Sequence, residues 1–125
     1  MTQQTHAPIA LEHYLLMWNE HDMQAMRQYL DQSVSEDCIW VDPQHNHVGR
    51  QALADNVIGF RQTYPDATLS LASNLDGHNN RYRYYWKIES GGALLIKGFD
   101  VVTLNQDGLI ERVDGFFGDL ESTDL

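Results

Sequence analysis

The chain has 125 residues, 42% of them hydrophobic, which is enough for one ordinary domain with a single core. Eighteen acidic residues against eight basic ones give a formal charge of −10, which repels polyanions and leaves no basic stripe for nucleic acid. No apolar run approaches the ~20 residues that a membrane helix needs, and the N-terminus lacks the basic start and apolar middle of a secretion signal. These features predict a cytoplasmic protein that binds neither nucleic acid nor membranes.

Two helices are predicted at the start of the chain. Apolar residues at helical spacing, among them Leu15 and Trp18, predict a helix over residues 8–19. Asp22 is a typical N-cap for a second, shorter helix that ends near Leu30. Both helices carry one apolar stripe, so we expect both to pack on the core.

The next segment carries the first candidate for chemistry. A polar turn over 33–37 is predicted to precede a strand over 38–42, which ends in Asp42 and is stopped by Pro43. An ionisable group among bulky apolar residues is where a shifted pKa, and therefore chemistry, is expected. The alternative is that Asp42 only caps a turn.

A loop with two histidines is predicted to follow this strand and to lead into a third helix. Either His45 or His47 is able to act as an acid or base or to bind a polar ligand. No third ligand at recognisable spacing accompanies them, so no metal site is predicted. From Gly49 onward, apolar residues at helical spacing predict a long helix that ends at Pro65, with Phe60 on its inner face.

Everything after the third helix is predicted to form an antiparallel meander. Strands are expected over 67–75, 81–89, 93–104 and 109–118, separated by turns at 76–80, 90–92 and 105–108. Helices in front of such a meander define an α+β domain. We expect one domain over residues 8–120, with loosely ordered tails at 1–7 and 121–125.

Two neighbouring strands of the meander hold further candidates. Tyr82, Tyr84 and Trp86 share one face of their strand, which is typical of a solid core or of a cavity wall. Asp100 interrupts the next, strongly apolar strand, where a carboxyl is costly to bury unless it is protonated, paired or functional. Asp100 faces either solvent or the interior, and in the second case Gly98 would leave space beside it. The two-residue period does not choose between these orientations.

Four short segments stand in an order and spacing typical of one superfamily. They are Trp40-Val41-Asp42-Pro43, Val48-Gly49-Arg50, Gly98-Phe99-Asp100 and Asp107-Gly108-Leu109-Ile110. With the order of the elements, they make the chain resemble the nuclear transport factor 2-like superfamily, and within it the SnoaL-like (polyketide cyclase-like) proteins and the ketosteroid isomerases. The resemblance implies a cone in which a curved, mostly antiparallel sheet wraps two to three N-terminal helices around an internal pocket. It also implies a homodimer through the outer sheet face.

The resemblance to the ketosteroid isomerases extends to single residues. Asp42-Pro43 matches the strand-ending Asp-Pro that supplies the general base, and Tyr14, eight residues before Asp22, matches the oxyanion-hole tyrosine. Asp100 falls at the place of the protonated aspartic acid that is the second donor. The resemblance thus implies enolate chemistry, with one of the two carboxyls staying protonated near neutral pH.

Large side chains limit the size of the substrate. Three tryptophans near the candidate base and donors would shrink the cavity below what a steroid needs, so we expect a modest, largely apolar carbonyl compound. The family comparison places the face of the last strand that contains Phe117 in the pocket and leaves Asp114 outside. The side chains expected to bind the substrate are Trp18, Trp40, His47, Phe60, Tyr84, Trp86 and Phe117.

Two other functions are consistent with the same residues. In one, His47 and Asp42 activate a water molecule, as a hydrolase or dehydratase of this fold would. In the other, the cone is a non-catalytic ligand-binding or dimerisation module, because fold does not determine function. A pocket filled solid by the three tryptophans would favour the second. No glycine-rich phosphate loop or Cys/His array is present, so no cofactor is expected.

Overall fold

A computed structural model describes residues 6–124 of the chain. The helices are α1 (Ile9–Asn19), α2 (Met23–Ser33) and α3 (Arg50–Thr63), and the strands are β1 (Val34–Asp42), β2 (His45–Val48), β3 (Thr68–Leu71), β4 (Asp76–His78), β5 (Arg81–Ser90), β6 (Ala93–Leu104) and β7 (Ile110–Phe117). The three helices pack on a curved, mostly antiparallel sheet, so the predicted α+β class and cone architecture are confirmed. Within the described range, no helix is both long and apolar enough to cross a membrane. The predicted tail over 1–7 falls mostly on residues outside this range, as does residue 125.

The strand order places the two candidate carboxyls close together. The sheet runs β2-β1-β7-β6-β5-β3, with β4 also paired to β5, and β1 is parallel to β7 while every other pair is antiparallel. Val41 on β1 is the register partner of Asp114 on β7, and the next residue of β7, Gly115, is the partner of Asp100 on β6. Asp42 therefore ends its strand beside Gly115, with Asp100 one strand further on.

The helix boundaries agree closely with those predicted, with one correction. Asp22 caps α2, its carboxylate accepting a hydrogen bond from the backbone N–H of Gln24 at 3.3 Å. The predicted turn over 33–37 is wrong, because α2 continues to Ser33 and β1 begins at once with Val34. Val34 is completely buried, and its carbonyl accepts two hydrogen bonds from the guanidinium of Arg50. Burial of Val34 and these two hydrogen bonds hold the segment in the sheet despite its polar composition.

Two short strands lie where a loop and a turn were predicted. Residues 45–48 form β2, which pairs with β1, and residues 76–78 form β4, which pairs with β5. The reversal after β4 is made by Asn79 and Asn80 alone, both at positive φ, a conformation that asparagine tolerates better than most residues. Both strands are polar and short, so only their partners on the sheet make them strands.

A buried cation, Arg61, joins α1 to the end of α3. Its guanidinium donates to the backbone carbonyls of Pro65, Ala67 and Trp18. Burial lowers the pKa of this guanidinium. The three acceptors give the charge polar partners, and they hold the end of the helix that carries Trp18.

Candidate active site

The helices and the inner sheet face enclose a cavity of about 410 Å³. Its walls come from α1, α3 and six of the strands. The lining side chains that the following paragraphs use are Tyr14, Trp18, Trp40, Asp42, His45, Phe60, Tyr84, Trp86, Asp100 and Phe117. A volume of this size is typical of a pocket for a small molecule, and the three tryptophans line it without filling it.

Asp42 lies at the edge of the cavity and is held by the turn that follows it. Its Oδ1 accepts a hydrogen bond from the backbone N–H of Gln44 at 2.8 Å and lies 2.9 Å from Nδ1 of His45. Only 8% of its side chain is exposed. Both contacts use Oδ1, and no described residue makes a hydrogen bond to Oδ2, which leaves that oxygen available to a ligand.

Asp100 faces the interior, which decides the orientation that the sequence left open. Its Oδ1 accepts a hydrogen bond from the indole N–H of Trp86 at 2.9 Å, and its Oδ2 accepts one from the hydroxyl of Tyr84 at 3.1 Å. Burial raises the pKa of Asp100 to about 6; the two hydrogen bonds oppose the rise, and Asp42 adds to it slightly. The carboxyl therefore holds its proton up to about pH 6, well above the range of an ordinary aspartic acid.

Gly98 shapes the site in a different way from the one predicted. A Cβ at Gly98 would lie 2.3 Å from Cζ2 of Trp86 and 2.3 Å from the carbonyl oxygen of Phe116. The space beside the acid is thus occupied by the indole of Trp86, the register partner of Gly98. The missing side chain lets this ring lie across β6 and reach Asp100.

A second glycine separates the two carboxyls. A Cβ at Gly115 would lie 2.9 Å from Oδ1 of Asp100 and 3.4 Å from Cβ of Asp42. Any larger residue at this position would stand between the acids or displace them. Because position 115 is a glycine, Asp42 and Asp100 approach the same part of the cavity.

Tyr14 is completely enclosed and accepts a hydrogen bond from the indole N–H of Trp40 at 2.7 Å. Burial, with a smaller contribution from Asp100, raises its pKa well above the usual value of 10. Its hydroxyl stays neutral at physiological pH. Since the bond from Trp40 uses a lone pair, the hydroxyl hydrogen is free to donate.

The structure brings His45, and not His47, to the candidate base. The two-residue turn makes His45 the register partner of Asp42, while His47 is the partner of Trp40 and stacks on its ring at 5.9 Å between centroids. His47 does not line the cavity, and its buried Nε2 has no hydrogen-bond partner among the described residues. His47 therefore lies outside the lining of this cavity, and its role in binding a substrate stays a prediction. The sequence signal for His45 was its position three residues after Asp42, because a two-residue turn at Pro43 and Gln44 places these two residues opposite each other.

The other side chains predicted to bind substrate do line the cavity. They are Trp18, Trp40, Phe60, Tyr84, Trp86 and Phe117. Asp114 bonds to Arg112 and is not among the lining residues. Prediction missed Asn56 and Thr63, which line the cavity beside Phe60 and lie one helical turn from it on α3. Their helical spacing was a usable signal, but both are polar, and the prediction followed only the apolar face.

Comparisons with known proteins identify relatives of the same fold. Residues 11–113 match the model of the SnoaL-like domain family. A crystal structure from Agrobacterium tumefaciens, described provisionally as an isomerase of the SnoaL-like family, is 35% identical with a TM-score of 0.82, over 88% of this chain and 95% of that one. A provisional polyketide cyclase from Sinorhizobium meliloti is 14% identical with a TM-score of 0.70, over 87% and 94% of the two chains. No curated protein matches the chain.

Proposed function

Because the chain belongs to the SnoaL-like family, we propose that its cavity is the active site of a small enzyme that moves a proton through an enolate, as an isomerase or a cyclase does. The substrate is a modest, largely apolar carbonyl compound. One observation carries the proposal: Tyr14, Asp42 and Asp100, which come from α1, β1 and β6, all line one cavity.

Asp42 is the base in this proposal. Its Oδ1 is held by Gln44 and His45, so the carboxylate has a defined orientation while Oδ2 remains free. The free oxygen takes a proton from the carbon next to the substrate carbonyl, and the C–H electron pair becomes the enolate. In an isomerase the same carboxyl returns the proton to another carbon; in a cyclase the enolate carbon attacks a second carbonyl.

Tyr14 and Asp100 stabilise the charge on the substrate oxygen. The hydroxyl of Tyr14 is neutral and free to donate, and the donor bond from Trp40 fixes the position of its oxygen. Asp100 adds a second donor only while it is protonated, below about pH 6. The proposal therefore includes a rate of enolate formation that falls as pH rises through about 6, to a level that Tyr14 alone supports.

The direct test is exchange of α-protons in deuterated buffer, followed by NMR with a panel of cyclic enones and β-keto esters. Asp42→Asn keeps the shape of the side chain and removes the base, so we expect exchange to fall by roughly 10²–10⁴-fold. Asp107→Asn makes the same change in the exposed β6–β7 turn and should exchange like the native protein. Undiminished exchange in Asp42→Asn would remove the assigned base.

The contact between Asp42 and His45 supports a second candidate, in which the pair activates water. With the proton on Nδ1, the imidazole donates to Asp42, and its Nε2 is a base at the cavity. A carboxylate that orients a histidine in this way is a common arrangement for general-base catalysis. The reaction would then be a hydrolysis or a dehydration rather than proton transfer at carbon.

His45→Gln separates the two candidates. The glutamine amide is able to donate to Asp42 but offers no base, so water-dependent turnover should fall by roughly 10²–10⁴-fold while α-proton exchange stays within a few-fold. His21→Gln, at an exposed position, is the matched control. If His45→Gln loses neither activity, water activation by this pair is excluded.

The third reading, a non-catalytic binding module, makes a different prediction. Ligand affinity would tolerate Asp42→Asn, and no compound of the panel would exchange or turn over. A solid pocket would have favoured a pure scaffold, but the tryptophans leave a cavity of about 410 Å³. That open volume supports a ligand, whether or not the ligand reacts.

A further inference from the structure

We propose that the cavity selects its ligand by charge: it takes an ammonium group carried on a small apolar body and excludes carboxylates and phosphates. This names the substrate class of the same site, an apolar carbonyl compound that also bears an amine. The inference rests on the proposed function in one respect, that the cavity is the substrate site. It does not require that the protein transfers a proton.

The charged groups of the lining are the first step. Two carboxyls, Asp42 and Asp100, and one imidazole, His45, line the cavity, and no lysine or arginine among the described residues does. Arg61 lies 5.5 Å from the centre of the Phe60 ring, but its two terminal nitrogens donate to backbone carbonyls and it is not among the residues that line the cavity. An anionic ligand would thus meet acids and no cation.

Asp100 has no cationic partner among the described residues. Its two hydrogen-bond donors, Tyr84 and Trp86, are neutral, whereas Asp42 has the imidazole of His45 beside it. Buried carboxylates are ordinarily paired with a cation or protonated. A ligand ammonium group would supply the charge that the chain itself does not.

The aromatic walls fit the same ligand. Trp18 contacts Trp40 and Phe60 with ring centroids 5.9 and 5.7 Å apart, and Trp86 contacts Phe117 at 6.1 Å. The electron-rich faces of such rings attract organic cations, and tryptophan does so most strongly. The indole N–H groups of Trp40 and Trp86 are already used within the chain, on Tyr14 and Asp100. These two indole N–H groups are therefore not available to donate to an anionic ligand.

The pH dependence separates this ligand from a neutral one. An ammonium group gains from an ionised Asp100, so its affinity should rise as pH increases through about 6. A neutral ketone gains a hydrogen bond from a protonated Asp100, so its affinity should fall over the same range. The other titratable groups that line the cavity are Tyr14, Asp42, His45, Tyr64 and Tyr84. Because several titratable groups share the cavity, the assignment to Asp100 needs a variant.

The experiment uses three probes of matched shape: cyclohexylmethylammonium, cyclohexyl methyl ketone and cyclohexanecarboxylate. Titration calorimetry at pH 8 measures affinity, and intrinsic fluorescence reports the location, because all three tryptophans of the chain line the cavity. We expect the ammonium probe to bind at least about tenfold more tightly than the carboxylate. A repeat at pH 5 should weaken the ammonium probe and strengthen the ketone.

Asp100→Asn identifies the residue responsible. It should reduce the affinity for the ammonium probe by about tenfold at pH 8, while the ketone stays within two- to threefold. Asp107→Asn removes one charge from an exposed turn and should change neither. Circular dichroism confirms that each variant is folded.

Several results would overturn the proposal. They are equal affinity of the three probes, tighter binding of the carboxylate, no binding of any probe by the folded protein, or an ammonium affinity that Asp100→Asn does not change. These outcomes are independent of the α-proton exchange test. Equal binding of the probes would contradict charge selection but not proton transfer on a neutral substrate. Absence of the proposed catalysis would contradict proton transfer but not charge selection.

Discussion

At the scale of single residues, Asp100 shows how a central strand accommodates an acid. Burial disfavours its charge, while the N–H of Trp86 and the O–H of Tyr84 favour it, and the balance raises its pKa to about 6. The sequence spacing alone assigns neither donor, because both assignments depend on the register between β5 and β6. Trp86 lies opposite Gly98 and reaches Asp100 diagonally. Tyr84 is its direct register partner.

The raised pKa makes stability depend on pH. The folded protein holds the proton of Asp100 up to about pH 6, whereas the unfolded chain loses it near 3.8, so folding binds more protons between these values. This contribution to stability is complete below about pH 4 and is lost as pH rises through about 6. A difference of this size corresponds to roughly 3 kcal/mol.

Asp100→Asn should remove that dependence. The asparagine oxygen is able to accept from Trp86, and its amide is able to donate to the hydroxyl of Tyr84, so the contacts remain while the titration is lost. Measured by urea denaturation, the free energy of unfolding of the variant relative to the native protein should increase by about 2–3 kcal/mol from pH 4 to pH 7. Asp107→Asn should show no such gain. A constant difference between Asp100→Asn and the native protein would refute the coupling.

At the scale of elements, β5 and β6 build the acid site through one pair of residues. Gly98 has no side chain, so the Trp86 ring opposite it is able to cross β6 and bond to Asp100. The alternation of Tyr82, Tyr84 and Trp86 predicted the inner face of β5 correctly, and Tyr84 and Trp86 are buried. From the sequence, Gly98 predicted an empty space beside Asp100, but in the structure the Trp86 ring occupies that space.

Gly98→Ala should test this packing. The added methyl would lie 2.3 Å from both the Trp86 ring and a backbone oxygen, so at least one must move, at a cost of about 1–3 kcal/mol in the free energy of unfolding. Gly59→Ala is the matched control, because a Cβ there meets nothing within 4 Å, and alanine favours the helix over glycine. Urea denaturation should rank Gly98→Ala below, and Gly59→Ala at or above, the native protein. The reverse order would contradict tight packing between Gly98 and the Trp86 ring.

At the scale of the whole molecule, the outer face of the sheet exposes an aromatic ladder. Tyr85, Phe99 and Phe116 are register partners across β5, β6 and β7, and the rings of Tyr85 and Phe99 are 5.1 Å apart. More than half of Tyr85 and of Phe116 is exposed to solvent. Exposed apolar patches of this kind favour association, and we propose that this face forms a homodimer.

Sedimentation velocity checks the dimer. The native protein should sediment as a dimer at micromolar concentration, and Phe116→Glu should shift it to the monomer with little loss of stability, because the side chain is exposed. Leu120→Glu adds the same charge at a fully exposed position beyond β7 and should remain dimeric. A monomeric native protein, or a dimer that Phe116→Glu leaves intact, would exclude this interface.

The sequence by itself determined which segments are helix and strand wherever a periodic apolar pattern was present. It was right for α1, for α3 and, without any shift in its bounds, for β6. It failed at β2 and β4, whose residues are polar and which are strands only because a partner strand lies beside them. It also failed at residues 33–37, where burial of Val34 outweighs a turn-like composition.

The tertiary structure alone decided how the candidate residues meet. The parallel pairing of β1 with β7 and the glycine at 115 bring Asp42 and Asp100 together, although 58 positions separate them in the chain. The turn at Pro43 brings His45 to Asp42 and leaves His47 against Trp40. A local sequence pattern predicts the secondary structure of its own segment. The environment of a carboxyl depends on distant segments, and only the strand register specifies them.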